Sequence, residues 1–210
     1  MLFRYNNRGQ RSTRRILIWR NKHISERNLI LILSFIIGIL SGLAAVLLKS
    51  TVHYTHHFLS TRFFHSGFNY LYLFLPLVGI ALTVLYIKYF VKDDISHGVS
   101  KILYALSKNN GRIKSHNNYS SIIASTLTIG FGGSVGAEAP VVLTGASIGS
   151  NLGHYFRLNF KSVALLLACG TAGAIGGIFK APVAGLVFAI EVLMLDLTLS
   201  SIVPLLISSV

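Results

Sequence analysis

The sequence is short of charge. Only 12% of its 210 residues are Asp, Glu, Lys or Arg, against about 25% in an ordinary soluble domain. A water-facing surface needs more ionic side chains than this, so a soluble globular enzyme is disfavoured. Acids are scarcest, with 6 Asp+Glu against 19 Lys+Arg and a formal net charge of +13. There is one cysteine, Cys169, so an intrachain disulfide framework is excluded. It sits in an apolar run and reads as a small buried hydrophobe. Apolar residues are not lacking: 52% are hydrophobic and mean hydropathy is +0.64. That excludes a disordered chain, which would be poor in them.

So basic a chain invites a nucleic-acid reading, but its charge is not gathered into a binding face. Arg4, Arg8, Arg11, Arg14, Arg15, Arg20, Lys22 and Arg27 crowd the start, and most other basic residues lie between apolar runs. Charge confined to the flanks of apolar segments is what a bilayer selects, and the cytoplasmic flanks carry the excess. No nucleic-acid partner is expected; the lipid bilayer is.

Residues 1–28 form a basic cytoplasmic segment. Its cluster Ile16-Leu17-Ile18-Trp19 reads either as an interfacial helix or as part of a disordered tail. The remainder, 29–210, reads as one membrane domain. Leu29 to Leu48 is a continuous apolar run, and a helix of about 20 residues reaches about 30 Å, one hydrocarbon core. It is too long for a signal-peptide core. Leu71 to Val91 gives a second span, interrupted by Pro76 and Gly79. Residues 49–69 and 92–118 read as loops. The first is the poorer in basic residues, which puts it outside, with the N-terminus and 92–118 cytoplasmic. His53, His56, His57 and His65 lie in the first loop. A metal site or ordinary interfacial histidines would both fit them, and no Cys or acid joins them. No cofactor is implied.

After Ser120 the apolar segments become short and glycine-rich: 121–131, 139–152, 163–179 and 182–199. Gly132/Gly136, Gly145/Gly149, Gly149/Gly153 and Gly173/Gly177 have G-x-x-x-G spacing, which lets helix backbones approach closely in lipid. Broken helices meeting at mid-membrane are a device of transporters. Ser201 to Val210 is still apolar, so the sequence reads as stopping inside a membrane segment.

Within Gly130 to Gly153, the single carboxylate is Glu138. An acid inside a membrane is costly, and its default reading is functional. Gly136 frees the backbone and Pro140 suits a first helical turn. A helix starting near Glu138 would aim free N–H groups and a positive dipole end at the break. That makes an anion site, which Glu138 itself could fill. The blander alternative is a first-turn acid on its own helix dipole. Gly132-Gly133-Ser134-Val135-Gly136 also matches G-x-S-x-G, whose elbow needs a preceding strand and a His–acid pair. An intramembrane serine hydrolase using Ser134 is the alternative class.

Gly136-Ala137-Glu138-Ala139-Pro140 resembles the G-x-E-x-P signature of the CLC chloride channels and chloride/proton antiporters, usually GREGP. The flanking GGSVG and GASIGSNLG also look like that family's. Ser96-His97-Gly98-Val99-Ser100 resembles its GSGIP element. Phe179-Lys180-Ala181-Pro182-Val183-Ala184-Gly185, followed by Phe188-Ala189-Ile190-Glu191, resembles FNAPLAG…F-x-x-E.

The resemblance implies an all-α membrane protein of broken, tilted helices, here the first half of an inverted repeat. It implies an anion transporter rather than an enzyme, gated by Glu138, which competes with the anion when ionised and swings away when protonated. His97, Gly98, Val99, Gly136, Ala137 and Ala139 would bind the anion, chloride or a relative such as nitrate or fluoride. His97 stands where a serine usually touches the anion; capping a helix that begins at Gly98 is its other reading. Protons would be the second substrate of an antiporter. Val192 stands where antiporters often have a second glutamate, as in the channels, and channel and antiporter both stay open. Glu191 reads as structural. Lys180 reads as a snorkelling lysine or an aid to anion attraction. Homodimerisation through residues after about Leu186, a missing second half, and no conduction by this chain alone are the remaining expectations, at a cell membrane.

Overall fold

The computed structural model describes residues 25–63, 70–93, 98–193 and 199–210. Among them the regular structure is helical: α1 (Glu26–Phe63), α2 (Tyr70–Tyr86), α3 (Gly98–Lys108), α4 (Asn117–Gly130), α5 (Glu138–Tyr155), α6 (Phe160–Phe179), α7 (Pro182–Leu193) and α8 (Leu199–Ser209). The N-terminal cluster around Trp19, and also His65, Asp94, Ser96 and His97, fall outside the described residues.

Three stretches in the described residues are long and apolar enough to cross a membrane: Glu26–Leu59, Phe74–Val91 and Phe160–Phe179. They contain the span expected at 29–48 and the apolar run at 163–179, and they cover 74–91 of the span expected at 71–91. The loop expected at 49–69 is corrected over residues 49–63, where α1 continues without a break. No Gly or Pro interrupts that stretch. Its Thr51, Thr55 and Thr61 hydroxyls bond back to the carbonyls of Leu47, Thr51 and His57 at 2.7–2.9 Å. Polar residues that satisfy themselves within a helix do not end it. His53, His56 and His57 therefore lie on a helix.

The second expected loop is corrected too, because 98–108 is α3. Ile102 and Ala105 are buried, and Val99 and Leu106 pack against the same core. Those positions share one face of a helix. Asn110 and Gly111, at positive φ, turn the chain toward α4. Of the run 182–199, the described residues are α7 and the first residue of α8.

Helix α6 is the centre. Asn159 caps it, accepting the Ser162 N–H at 2.8 Å, and the Glu26 carboxylate accepts from Asn159 Nδ2 and Ser162 Oγ at 3.1 and 3.0 Å. That ties the start of α1 to the start of α6. Most of α6 is buried, Cys169 included, as expected for a small apolar side chain.

The glycine pairs at 145/149, 149/153 and 173/177 mark real close approaches. A Cβ at Gly145 would meet the Gly170 carbonyl, one at Gly149 the Leu166 carbonyl, and one at Gly170 the Gly145 carbonyl. Helices α5 and α6 thus pack backbone to backbone. A Cβ at Gly173 would likewise lie 2.7 Å from the Ser208 carbonyl oxygen of α8 and 3.1 Å from Gly38 Cα of α1. The pair 132/136 is different. Gly132 has φ +90° and serves a turn in the segment between α4 and α5.

At the ends of the spans the contacts are ionic. Helix α2 closes with a π-helical turn over Ile87–Val91, sealed by the Lys92 N–H on the Ile87 carbonyl at 2.8 Å. Asp93 follows. Its carboxylate takes Lys101 and Lys114 at 3.0 Å each and His116 Nε2 at 3.1 Å. Partial burial opposes its ionisation, but the bonds and charges of Lys101 and Lys114 prevail and hold its pKa at about 2.

Candidate functional site

Two helix starts meet. The first residue of α3, Gly98, is buried against the first turn of α5, and a Cβ there would lie 2.6 Å from the Ala139 carbonyl oxygen. Only glycine fits so near a backbone. Helix α5 begins at Glu138, where the sequence placed it, with Ala137 as N-cap. Ala137 has no side-chain oxygen to offer the first N–H groups of α5, and Pro140 has no N–H to satisfy. The start of α5 thus presents donors that intrahelical bonds do not use.

A cavity of about 240 Å³ opens at this junction. Gly98, Gly136, Ala139 and Pro140 contribute to its wall, and Ser121, Ser125 and Thr128 of α4 complete one side. Thr83 of α2 also lines it; its hydroxyl lies 2.9 Å from that of Thr128. The Glu138 side chain is exposed, and its carboxylate lies back over Gly136, where a Cβ would collide with it.

The expected anion ligands therefore divide. Gly98, Gly136 and Ala139 come together around one cavity. Val99 turns its side chain into the core, leaving only its backbone at the helix start. Ala137 faces elsewhere, toward a cavity of about 510 Å³ that it lines with Lys49, His53, His56 and His57. The described residues contain no group of three or more His, Cys, Asp or Glu placed to hold a metal ion.

Lys180 ends α6 in the left-handed conformation, φ 55°, its N–H on the Gly176 carbonyl. Its visible role is a turn between α6 and α7. Glu191 is exposed on α7, and no ion pair joins it to another described residue.

Ser134 is exposed in the turn before α5, and the residues ahead of it are helix α4. A nucleophile elbow requires a strand at that place, and the described residues include none. The hydrolase alternative is not favoured.

A family model described as voltage gated chloride channel matches residues 78–210. That interval holds both helix starts, the cavity and Glu138. The chain belongs to the voltage-gated chloride channel (CLC) family. It is 30% identical over 142 residues to a ClcB-like protein of Ralstonia nicotianae, covering 66% of this chain and 33% of that one. It is 28% identical over 172 residues to the H(+)/Cl(-) exchange transporter ClcA of Vibrio cholerae, covering 77% and 36%. The crystal structure of a slow cyanobacterial Cl-/H+ antiporter superposes with a TM-score of 0.73 at 22% identity, covering 89% of this chain and 45% of that one. The CLC chain described here thus spans less than half the length of these proteins. Its fold is the helical CLC membrane fold, and it is an integral membrane protein. Sequence reasoning missed the four hydroxyls on the cavity wall, Thr83 of α2 and Ser121, Ser125 and Thr128 of α4, which only the packing of the two helices brings together.

Proposed function

We propose that this chain forms part of a CLC-type anion transporter, with chloride as substrate and Glu138 as the gate. The observation that carries the reading is the meeting of the α3 and α5 starts at one cavity, with a carboxylate over Gly136. Unused N–H groups and two positive dipole ends favour an anion there. The carboxylate is itself an anion of the right reach. Ionised, it competes for that position; protonated, it leaves the donors to chloride. Gly98, Gly136 and Ala139 then act through their backbones, with Val99 contributing at most its N–H. A carboxyl that must take up a proton to move couples anion passage to pH.

The reading extends to the surroundings. Residues 1–28 form a cytoplasmic basic segment ahead of a membrane domain that starts at 29. The protein sits in the cell membrane with its N-terminus cytoplasmic, as the Lys/Arg distribution favours. It works with a second segment matching the remaining length of its relatives, and as a homodimer.

The test is chloride flux into liposomes. The chain is reconstituted with a second segment taken from a relative, and flux is followed against pH. Flux that rises with acidification, and that loses this dependence in Glu138→Gln, is the expected outcome. Unchanged pH dependence in the variant overturns the assignment of Glu138. A reversal potential that follows the proton gradient marks an antiporter, and one that ignores it marks a channel.

A further inference from the structure

Serine and threonine hydroxyls within these helices mostly bond back to a carbonyl three or four residues earlier. Ser34, Ser41, Thr128 and Thr171 all do so. Ser121 does not. It is 1% exposed, and its Oγ has no hydrogen-bond partner in the structure. Its usual acceptor is occupied. The Asn117 carbonyl takes the Thr144 hydroxyl at 3.3 Å in addition to the helix's own bond, which uses both lone pairs.

Leaving a hydroxyl buried and unbonded costs free energy, and such a group calls for an explanation. Ser121 is one of the residues lining the same cavity as Gly98, Gly136 and Ala139. The wall around it is already satisfied in part. Thr83 and Thr128 form a pair at 2.9 Å, in which one hydroxyl donates to the other and the second donates to a carbonyl of its own helix. Ser121 is therefore a buried donor without an acceptor, on the wall of a cavity where two helix starts supply further donors. What is missing from such a set is an acceptor, and an anion is one.

We propose that Ser121 is an anion ligand of this site, donating its hydroxyl hydrogen bond to a halide held between the starts of α3 and α5. This rests on the anion-site reading above and adds a side-chain donor from α4, a helix that the sequence motifs leave out. The hydroxyl also confers preference. A smaller halide is a stronger acceptor and gains more from a charge-assisted bond.

The experiment is calorimetric titration in detergent, with sodium fluoride, chloride and bromide, of the full chain reconstituted with the second segment used in the flux test. It is run on the unmodified protein, Ser121→Ala and Ser121→Thr, with melting measured in anion-free buffer. Ser121→Ala should weaken chloride binding about ten- to a hundredfold, the range for a hydrogen bond to a charged group. The loss should be largest for fluoride and smallest for bromide. Ser121→Thr keeps the hydroxyl and should bind within a few-fold of the original. Chloride binding unchanged in Ser121→Ala overturns the proposal and leaves the anion site standing. An equal loss for all three halides together with lowered anion-free melting overturns it in favour of a packing role. No halide binding by the unmodified chain joined to its second segment overturns the anion-site reading itself, and the role of Ser121 with it.

Discussion

Helices α2 and α6 carry stretches of the same mean hydropathy, yet 6% of the α2 stretch is buried inside the protein and 78% of the α6 stretch. They differ in the size of their side chains. Helix α2 displays Phe74, Leu77, Val78, Ile80 and Leu85 outward, whereas α6 is built on Ala164, Ala168, Gly170, Ala172, Gly173, Ala174 and Gly176. Lipid tails are as apolar as leucine, so apolarity alone gives no reason for two helices to join inside a bilayer. Close backbone approach does. Hydropathy puts a segment into the membrane, and smallness puts it at the centre of the protein. Helix α2 makes one such approach, at Gly79, where a Cβ would lie 2.9 Å from the Leu127 carbonyl oxygen of α4; the Thr83–Thr128 hydroxyl contact in its last turn and Asp93 just beyond its end add polar ties.

The contrast can be attacked at both helices. The largest effect is expected at the α5–α6 crossing. Gly170→Leu would drive a side chain into the Gly145 carbonyl, costing more than about 3 kcal/mol. Size-exclusion chromatography in detergent should show loss of the folded species. A monodisperse, normally melting variant would mean that the glycine seam does not hold the core.

Smaller is Asp93→Asn, which removes the shared partner of Lys101, Lys114 and His116. A loss of about 1 kcal/mol fits a half-exposed ion cluster, read as a lower melting temperature at neutral pH. The sign with pH is fixed by the lowered pKa. The stabilisation is fully present above the ordinary value of 3.8 and is lost as pH falls through about 2. The gap in melting temperature between the two proteins should therefore close between those values, and a gap that persisted at pH 2 would contradict the role given to the carboxylate.

The smallest effect belongs to Leu77→Ala on the outer face of α2. Leu77 is 66% exposed, so its removal leaves no cavity in the protein, and stability should stay within about 0.5 kcal/mol. A drop comparable to that of a core leucine would place a protein surface, not lipid, against this face.

Much of this was readable from the residues alone. The spans at 29–48 and 71–91, the helix start at Glu138 and the closeness marked by Gly145, Gly149 and Gly173 all follow from local rules of length, dipole and size. Two kinds of feature did not. The continuation of α1 through Lys49 and the histidines was hidden because polar residues resemble a loop, while their mutual spacing lets Thr51, Thr55 and Thr61 serve the helix. Helix α3 was masked by its lysines, although Val99, Ile102, Ala105 and Leu106 repeat at helical intervals. The site was half visible. Gly98 and Ala139 announce themselves through motifs, but the convergence of α4 hydroxyls on the same cavity is a product of tertiary packing and has no local signature. The opposite divergence, with Ala137 facing away from its neighbours Gly136 and Ala139, follows from the helical turn that begins there.

One dimension of α1 reaches beyond its own packing. Its 38 residues amount to about 57 Å of rod at about 1.5 Å each, in a hydrocarbon slab of about 30 Å. Such a rod must lean or overhang. A thicker membrane stands it upright and draws its far end inward, and a thinner one lets it topple or protrude. The far end carries Lys49, His53, His56 and His57 on the wall of the larger cavity. The depth at which those imidazoles sit, and hence how wet they are, is set by the lipid as much as by the protein.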